Sequence, residues 1–389
     1  MPDHDPPARA RIGRVLHDLK RFDPPWITMV VPRHAGTDAG VPDARIDEAL
    51  RTLNLPDDAR RTVKRRALES VRAVHEQWAV VYASEDGAVV RTVGLKVAPP
   101  LPDEDPASRV RHGDAWTAPL DAMLAFDRPT IAVWATDTKA RFFAVDFGEA
   151  TELAGFVGDI NRESWRPYSE SSTGMPGEPA RGGSGMDDVQ DRTDDWVRRL
   201  GRLLLDEVHD ALRPYRHAHW VLLADRQTAA RLEANMTPEL ARSYLGSAGT
   251  PGPLGVPDNR FVNAVVEATT ATLEASQRRW LQAPEHDSEL VTDLEAILGA
   301  LDRDRVDTLA LATRLSPNGV RDLSSGRVHG SMTQLRREND AGLPTSLVAM
   351  SDVWPSRLKD AGVNVWLLRG EAEQALLEHG PVAARLRRG

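Results

Sequence analysis

Residues 186–212 read MDDVQDRTDDWVRRLGRLLLDEVHDAL and follow directly on the loop SSTGMPGEPARGGSG, which runs from Ser171 to Gly185. Apolar side chains fall at Met186, Val189, Trp196, Val197, Leu200, Leu203, Leu204, Val208, Ala211 and Leu212, the three-and-four spacing of a helix with one buried stripe. Ser184 can cap that helix, Asp187 and Asp188 suit its first turn, and Pro214 ends it. Such a helix would run about 43 Å. Two strand-like runs precede the loop, TIAVWATD (Thr130 to Asp137) and ARFFAVDFG (Ala140 to Gly148), which read as a hairpin on the edge of a larger sheet. HWVLLAD, from His219 to Asp225, is short and apolar enough to be a central strand. Strand, strand, long helix, strand is an α/β order.

Working outward from this core, PPWITMVVP (Pro24 to Pro32) reads as a buried strand, and a helical stretch is expected from about Ala44 to Glu76. WAVVYAS (Trp78 to Ser84) and AVVRTVGLKV (Ala88 to Val97) form a hairpin over EDG. The proline-rich connector PPLPDEDP then leads to a short helix, APLDAMLAF. Beyond His219 to Asp225, TAARLEANMTPELARSYL is predicted helical, and FVNAVVEATTATLEASQRRWL is a second long helix. SELVTDLEAILGAL is another helix, DRVDTLALAT (Asp304 to Thr313) a strand, and SLVAM, a helix around Trp354 to Ala361 and VNVWLLRG complete the pattern. Residues 316–343 are polar and Gly-rich and receive no assignment. The expectation is an α/β protein of three α/β domains, 1–127, 128–283 and 284–389. The middle domain is a mixed sheet with a long helix after a Gly-rich loop, and the last is a compact α/β/α sandwich.

Composition removes several classes of function. The 389 residues include no cysteine, which excludes disulfides, thiolate nucleophiles and Cys-based zinc or iron–sulfur sites. No apolar run approaches the ~18 residues of a membrane span, and MPDHDPPARARIGRV lacks a signal-peptide core, so a cytoplasmic chain with no membrane partner is expected. A net charge of −9 argues against coating nucleic acid all over and restricts RNA contact to local patches. The densest is RRTVKRR, whose Arg60, Arg61, Lys64, Arg65 and Arg66 are the candidate RNA-binding residues; a solvated helix face is the ordinary explanation of such a run. Walker, GxGxxG, HExxH and GxSxG motifs are absent. His217 and His219 could share a metal, but no companion ligand is identifiable, and neither metal nor cofactor is expected. Asp137, Asp146 and Asp225, at strand ends, could bind Mg²⁺ and cut a phosphodiester bond, although Asp is common wherever strands stop.

The order of these elements resembles the bacterial branch of the archaeo-eukaryotic release factor family, relatives of the eukaryotic class-one termination factor and of Pelota. ITMVVP, TIAVWATDTKARFFAVDFG, the Gly-rich loop feeding a long helix, LEAILGALDRDRVDTLALAT and VNVWLLRG carry the resemblance. It implies a ribosome-associated protein acting in rescue or stress, whose partners are the ribosome, ribosomal RNA, tRNA and a translational GTPase. In that family the middle-domain loop often carries Gly-Gly-Gln, placed against the ester of peptidyl-tRNA; glycines allow close backbone approach, and a donor there can stabilise the oxyanion. Here Gly182 and Gly183 match the glycines, Ser184 stands where glutamine is expected, and Gln190 comes later. If the loop hydrolyses peptidyl-tRNA, Gly182, Gly183 and Gln190 are its candidate catalytic residues. From Arg162 to Arg192 there are four arginines and six acids, an unfavourable balance for entry among phosphates. Two other readings stand beside this one: a non-catalytic, Pelota-like hibernation or occupancy factor, and a metal-dependent nuclease on the Asp137 and Asp225 sheet.

Overall fold

A computed structural model describes residues 7–22, 25–33, 41–102, 109–136, 139–157, 199, 201–215, 218–250, 252, 259–282, 290–314, 316–338, 344–359 and 361–387. By packing, the chain divides into two units, one of residues 1–128, 146–149 and 273–389, the other of residues 129–145 and 150–272.

The first unit opens with α1 (Ala8–Leu19), β1 (Trp26–Pro32), α2 (Val41–Arg51), α3 (Asp57–Arg72), β2 (Trp78–Ser84), β3 (Val90–Leu95), β4 (Val110–Gly113) and α4 (Ala118–Phe126). The strands form an antiparallel sheet in the order β3-β2-β1-β4. Every residue of β1 is buried because both faces of the sheet are covered. Trp26 and Val30 pack with Ile12 and Leu16 of α1 and with Leu120 and Met123 of α4. Ile27, Met29 and Val31 pack with Ile46 and Leu50 of α2 and with Val63 and Ala67 of α3. The single helical stretch expected over 44–76 is two helices. Pro56, the N-cap of α3, fixes its own φ and has no N–H to continue a helix from α2. Strand β4 was not expected. Residues 146–149 complete this core: Phe147, at φ +51°, is buried among the α1, α4 and sheet side chains with the Arg9 guanidinium 5.0 Å from its ring. A left-handed non-glycine residue costs about 1 kcal/mol, which the burial of a whole phenyl ring offsets.

The second unit is built on β5 (Thr130–Ala135), β6 (Lys139–Asp146), β7 (Glu149–Val157), β8 (His219–Leu223) and β9 (Tyr244–Ala248), in the order β7-β6-β5-β8-β9. β5 runs antiparallel to β6 and parallel to β8, so the sheet is mixed. The β5–β6 hairpin is central and not at an edge, since β7 flanks one side and β8 the other. Residues 201–212 are helical (α5), followed by α6 (Arg226–Ala234), α7 (Pro238–Ser243) and α8 (Asn259–Gln282). One sheet face, with Ile131, Val133, Phe142, Trp220 and Leu222, packs on Leu204, Leu205 and Val208 of α5 and on Leu232 of α6. On the other face Trp134 and Phe143 meet Phe261 of α8, ring centroids 5.5 and 5.9 Å apart. The helix expected over TAARLEANMTPELARSYL is broken at Thr237-Pro238, where the Thr237 hydroxyl caps α7, and its last residues form β9.

The rest of the first unit comprises β10 (Leu290–Val291), α9 (Leu294–Leu301), β11 (Val306–Ala312), β12 (Asn318–Asp322), β13 (Val328–His329), α10 (Met332–Glu338), β14 (Thr345–Ala349), α11 (Met350–Leu358), β15 (Asn364–Leu368), α12 (Gly370–Leu377) and β16 (Val382–Leu386). A sheet of order β10-β16-β11-β15 carries α9 and α11 on one face, and α12 with the end of α8 on the other, an α/β/α sandwich. The unassigned residues after Ser316 supply β12, β13 and α10, and the small sheet β13-β12-β14 is completed by the SLVAM run. Helix α4 is apolar but for Asp121 and serves two cores, turning Ala122 and Phe126 to this sandwich and Leu120 and Met123 to the β1 sheet. Arg369 grips Asp127 through both terminal nitrogens, at 3.1 and 2.5 Å, and Trp116 Nε1 donates to Asp352 at 2.7 Å.

Candidate functional site

The loop residues Gly182, Gly183, Ser184 and Gln190 lie outside the described residues, as does the start of the long helix. The described helix 201–212 seats Leu204, Leu205 and Val208 on the sheet, and here the expected stripe needs correcting. Leu203 is 48% exposed, whereas Leu205, left out of the stripe, is buried. At about 100° per residue the buried face of 201, 204, 205 and 208 turns position 203 toward solvent.

The carboxylates of the nuclease reading have structural work. Asp225 caps α6: one oxygen accepts the backbone N–H groups of Gln227 and Thr228 at 2.9 and 3.0 Å, the other the Thr228 hydroxyl at 2.8 Å. The Thr228 backbone N–H is the main cause holding this carboxyl below its ordinary pKa, with the Thr228 hydroxyl next. Asp146 belongs to the first unit, where it accepts from Arg9 Nε at 2.8 Å. Burial pushes its carboxyl above the ordinary value against the pull of Arg9. Asp137 and His217 lie outside the described residues, and His219 is the first residue of β8. Among the described residues no three His, Asp or Glu side chains are placed to hold a metal ion. None of the helices searched among them is long and apolar enough to cross a membrane.

The five cations of RRTVKRR lie on α3, and the fold gives them different surroundings. Arg60 folds back over the helix start, donating to the Leu55 carbonyl at 3.2 Å and lying 3.4 Å from Asp57. Arg61 pairs with Asp58. Lys64 sits between two carboxylates of α2, 3.1 Å from both Asp43 and Asp47. Its hydrogen bond to Asp43, then that to Asp47, raises the Lys64 pKa, and the Lys64 hydrogen bond is the largest cause depressing that of Asp47. Arg66 lies 3.8 Å from Glu69. Arg65 is exposed, with no ion pair recorded for it among the described residues. The helix therefore displays Arg61, Arg65 and Arg66 outward, two of the three beside an acid of their own helix.

Residues 116–276 match the model of bacterial archaeo-eukaryotic release factor family 10. The match runs from the Trp116 lead into α4, through the second unit, to Ser276 in α8. That stretch is accordingly similar to the bacterial archaeo-eukaryotic release factors, and the chain has the α/β architecture its sequence implied. No curated protein sequence matches it. Among solved structures it is similar to an archaeal translation termination factor, aRF1, at 13% identity over 97% of this chain and 98% of that one, TM-score 0.24. It is similar also to archaeal Pelota in a ribosome-bound model with ABCE1, at 12% identity over 97% and 94%, TM-score 0.37. A third is Pelota of Archaeoglobus fulgidus, at 11% identity over 94% and 96%, TM-score 0.25.

Proposed function

We propose that this protein acts at the ribosome, in rescue or stress, by occupying the tRNA site on the decoding side. The observation that carries this reading is the release-factor family match over residues 116–276, which includes the Gly-rich loop and the helix after it. Ribosomal RNA, tRNA and a translational GTPase are the partners the family reading brings, and the cytoplasm is where it would work. Arg61, Arg65 and Arg66 are the α3 cations offered to RNA, while Arg60 and Lys64 are engaged by the protein itself.

The loop favours occupancy over hydrolysis. Ser184 stands in place of the family glutamine, and the acids around the loop outnumber the arginines. In the hydrolytic version Gly182 and Gly183 give the backbone its close approach to the ester and Gln190 positions water. Peptide release from purified stalled ribosomes separates the two. Occupancy predicts co-sedimentation without release, and Gly183→Val unchanged in both. Release by the wild type that Gly183→Val abolishes, with binding intact, would establish the hydrolytic version instead.

A further inference from the structure

Helix α1 and the turn after it carry a second group of cations, and the fold treats them differently from those of α3. Between residues 7 and 22 the chain has five arginine or lysine residues and one acid. Arg9 lies 2.8 Å from Asp146 and Arg11 2.7 Å from Glu149, while the acid, Asp18, accepts from Arg91 Nε at 3.1 Å. Arg14, Lys20 and Arg21 remain; all three are exposed, and none has an ion pair among the described residues.

These three share one side of the helix. The buried side chains of α1 are Ala8, Ile12, Leu16 and Leu19. At about 100° per residue they fall on one arc, and Arg14, His17, Lys20 and Arg21 fall on the opposite one. The end of the helix preserves that arrangement: Lys20 keeps helical dihedrals, and the Arg21 N–H donates to the Asp18 carbonyl at 3.0 Å. Phe22 comes next, 39% exposed, with its ring centroid 5.4 Å from the Arg91 guanidinium that Asp18 holds.

The chemistry of this surface selects its occupant. Cations without acids of their own leave positive potential, and their counterions are released when phosphates take their place. An exposed aromatic ring beside them offers a stacking face to an unpaired base, which a duplex does not present. A membrane surface would need an apolar face to receive, and that of α1 is packed into the core of the β1 sheet.

We propose that α1 and its C-terminal turn form a binding surface for single-stranded RNA, with Arg14, Lys20 and Arg21 on the phosphate backbone and Phe22 against a base. That the RNA is ribosomal rests on the function proposed above; the contact itself does not.

Titration of a short oligouridylate into the full chain, across a potassium chloride series, tests the surface. Arg14→Gln, Lys20→Gln and Arg21→Gln combined should weaken binding about tenfold. The same variant should lower the slope of log affinity against log salt by about two, since each single-strand phosphate contact contributes about 0.7. Phe22→Ala should weaken binding about fivefold with the salt slope unchanged, because stacking releases no counterion. Far-ultraviolet circular dichroism matching the wild type shows that neither loss is unfolding. No binding by the wild type, or equal binding by the wild type and the triple variant, overturns the surface. So does a loss confined to phosphatidylserine vesicles, which would assign α1 to a membrane instead. Ribosome co-sedimentation keeps the two proposals apart. A wild type that binds oligouridylate through α1 but does not sediment with ribosomes leaves the surface standing and the ribosome reading overturned. A triple variant that matches the wild type in both assays, with ribosomes sedimenting, does the reverse.

Discussion

On α3, Arg61 lies against Asp58, Lys64 between Asp43 and Asp47, and Arg66 near Glu69. At the Pro32 end of β1, the first charge acting on Arg45 after burial is that of another arginine. The helix has the denser run of positive residues, each but Arg65 beside an acid, whereas at the strand end two arginines act on one another with Glu48 opposing. Counterion release, which drives RNA binding, depends on positive potential left over after internal pairing. Acids three positions before or after an arginine on one helix remove much of that potential while leaving the count of cations unchanged.

That contrast can be sharpened most by releasing a paired cation. Asp43→Asn with Asp47→Asn leaves Lys64 unneutralised and should tighten oligouridylate binding about twofold, read by titration across a potassium chloride series. Smaller still is the loss from Arg61→Gln with Arg65→Gln. Each side chain is exposed and solvated, so the same titration should change less than twofold.

The pH dependence of the Lys64 pair gives the weakest effect and fixes its sign. Asp47 has a folded pKa below its unfolded value, so its contribution is present above that unfolded value and is lost as pH falls through the folded one. Lys64 is raised, so its contribution is full below its unfolded value and is lost as pH rises through the folded one. Between these limits, across neutral pH, the pair stays formed. The difference in Tm between wild type and Lys64→Ala should therefore be constant from about pH 5 to 9 and shrink in acid.

The sequence exposed those parts of the fold whose signal is local. Helix α4 is bounded as read, because Pro119 favours a helix start and Pro129 lies just beyond the end. Strands β1, β2 and β11 read correctly as short apolar runs. Strand β9 was hidden because Tyr244 follows a helical run without a break, and only Gly246 at φ +139° marks the change. Strand β16 was hidden because it is buried between β10 and β11 and includes Arg385, 4% exposed; that side chain is accommodated by donating to the Trp280 carbonyl at 2.5 Å and lying over the Trp280 ring. The helical spacing of Asp57 to Arg60 and of Asp58 to Arg61 was readable. The α2 acids beside Lys64, and the nearness of Arg109 to Arg45, required the tertiary fold and could not be read from spacing.

Co-sedimentation of the full-length protein with purified bacterial ribosomes, across a potassium chloride series, tests the central claim most directly. The account predicts binding at low salt that weakens steadily as salt rises, with no peptide released from stalled complexes. Failure to co-sediment at any salt concentration would contradict it.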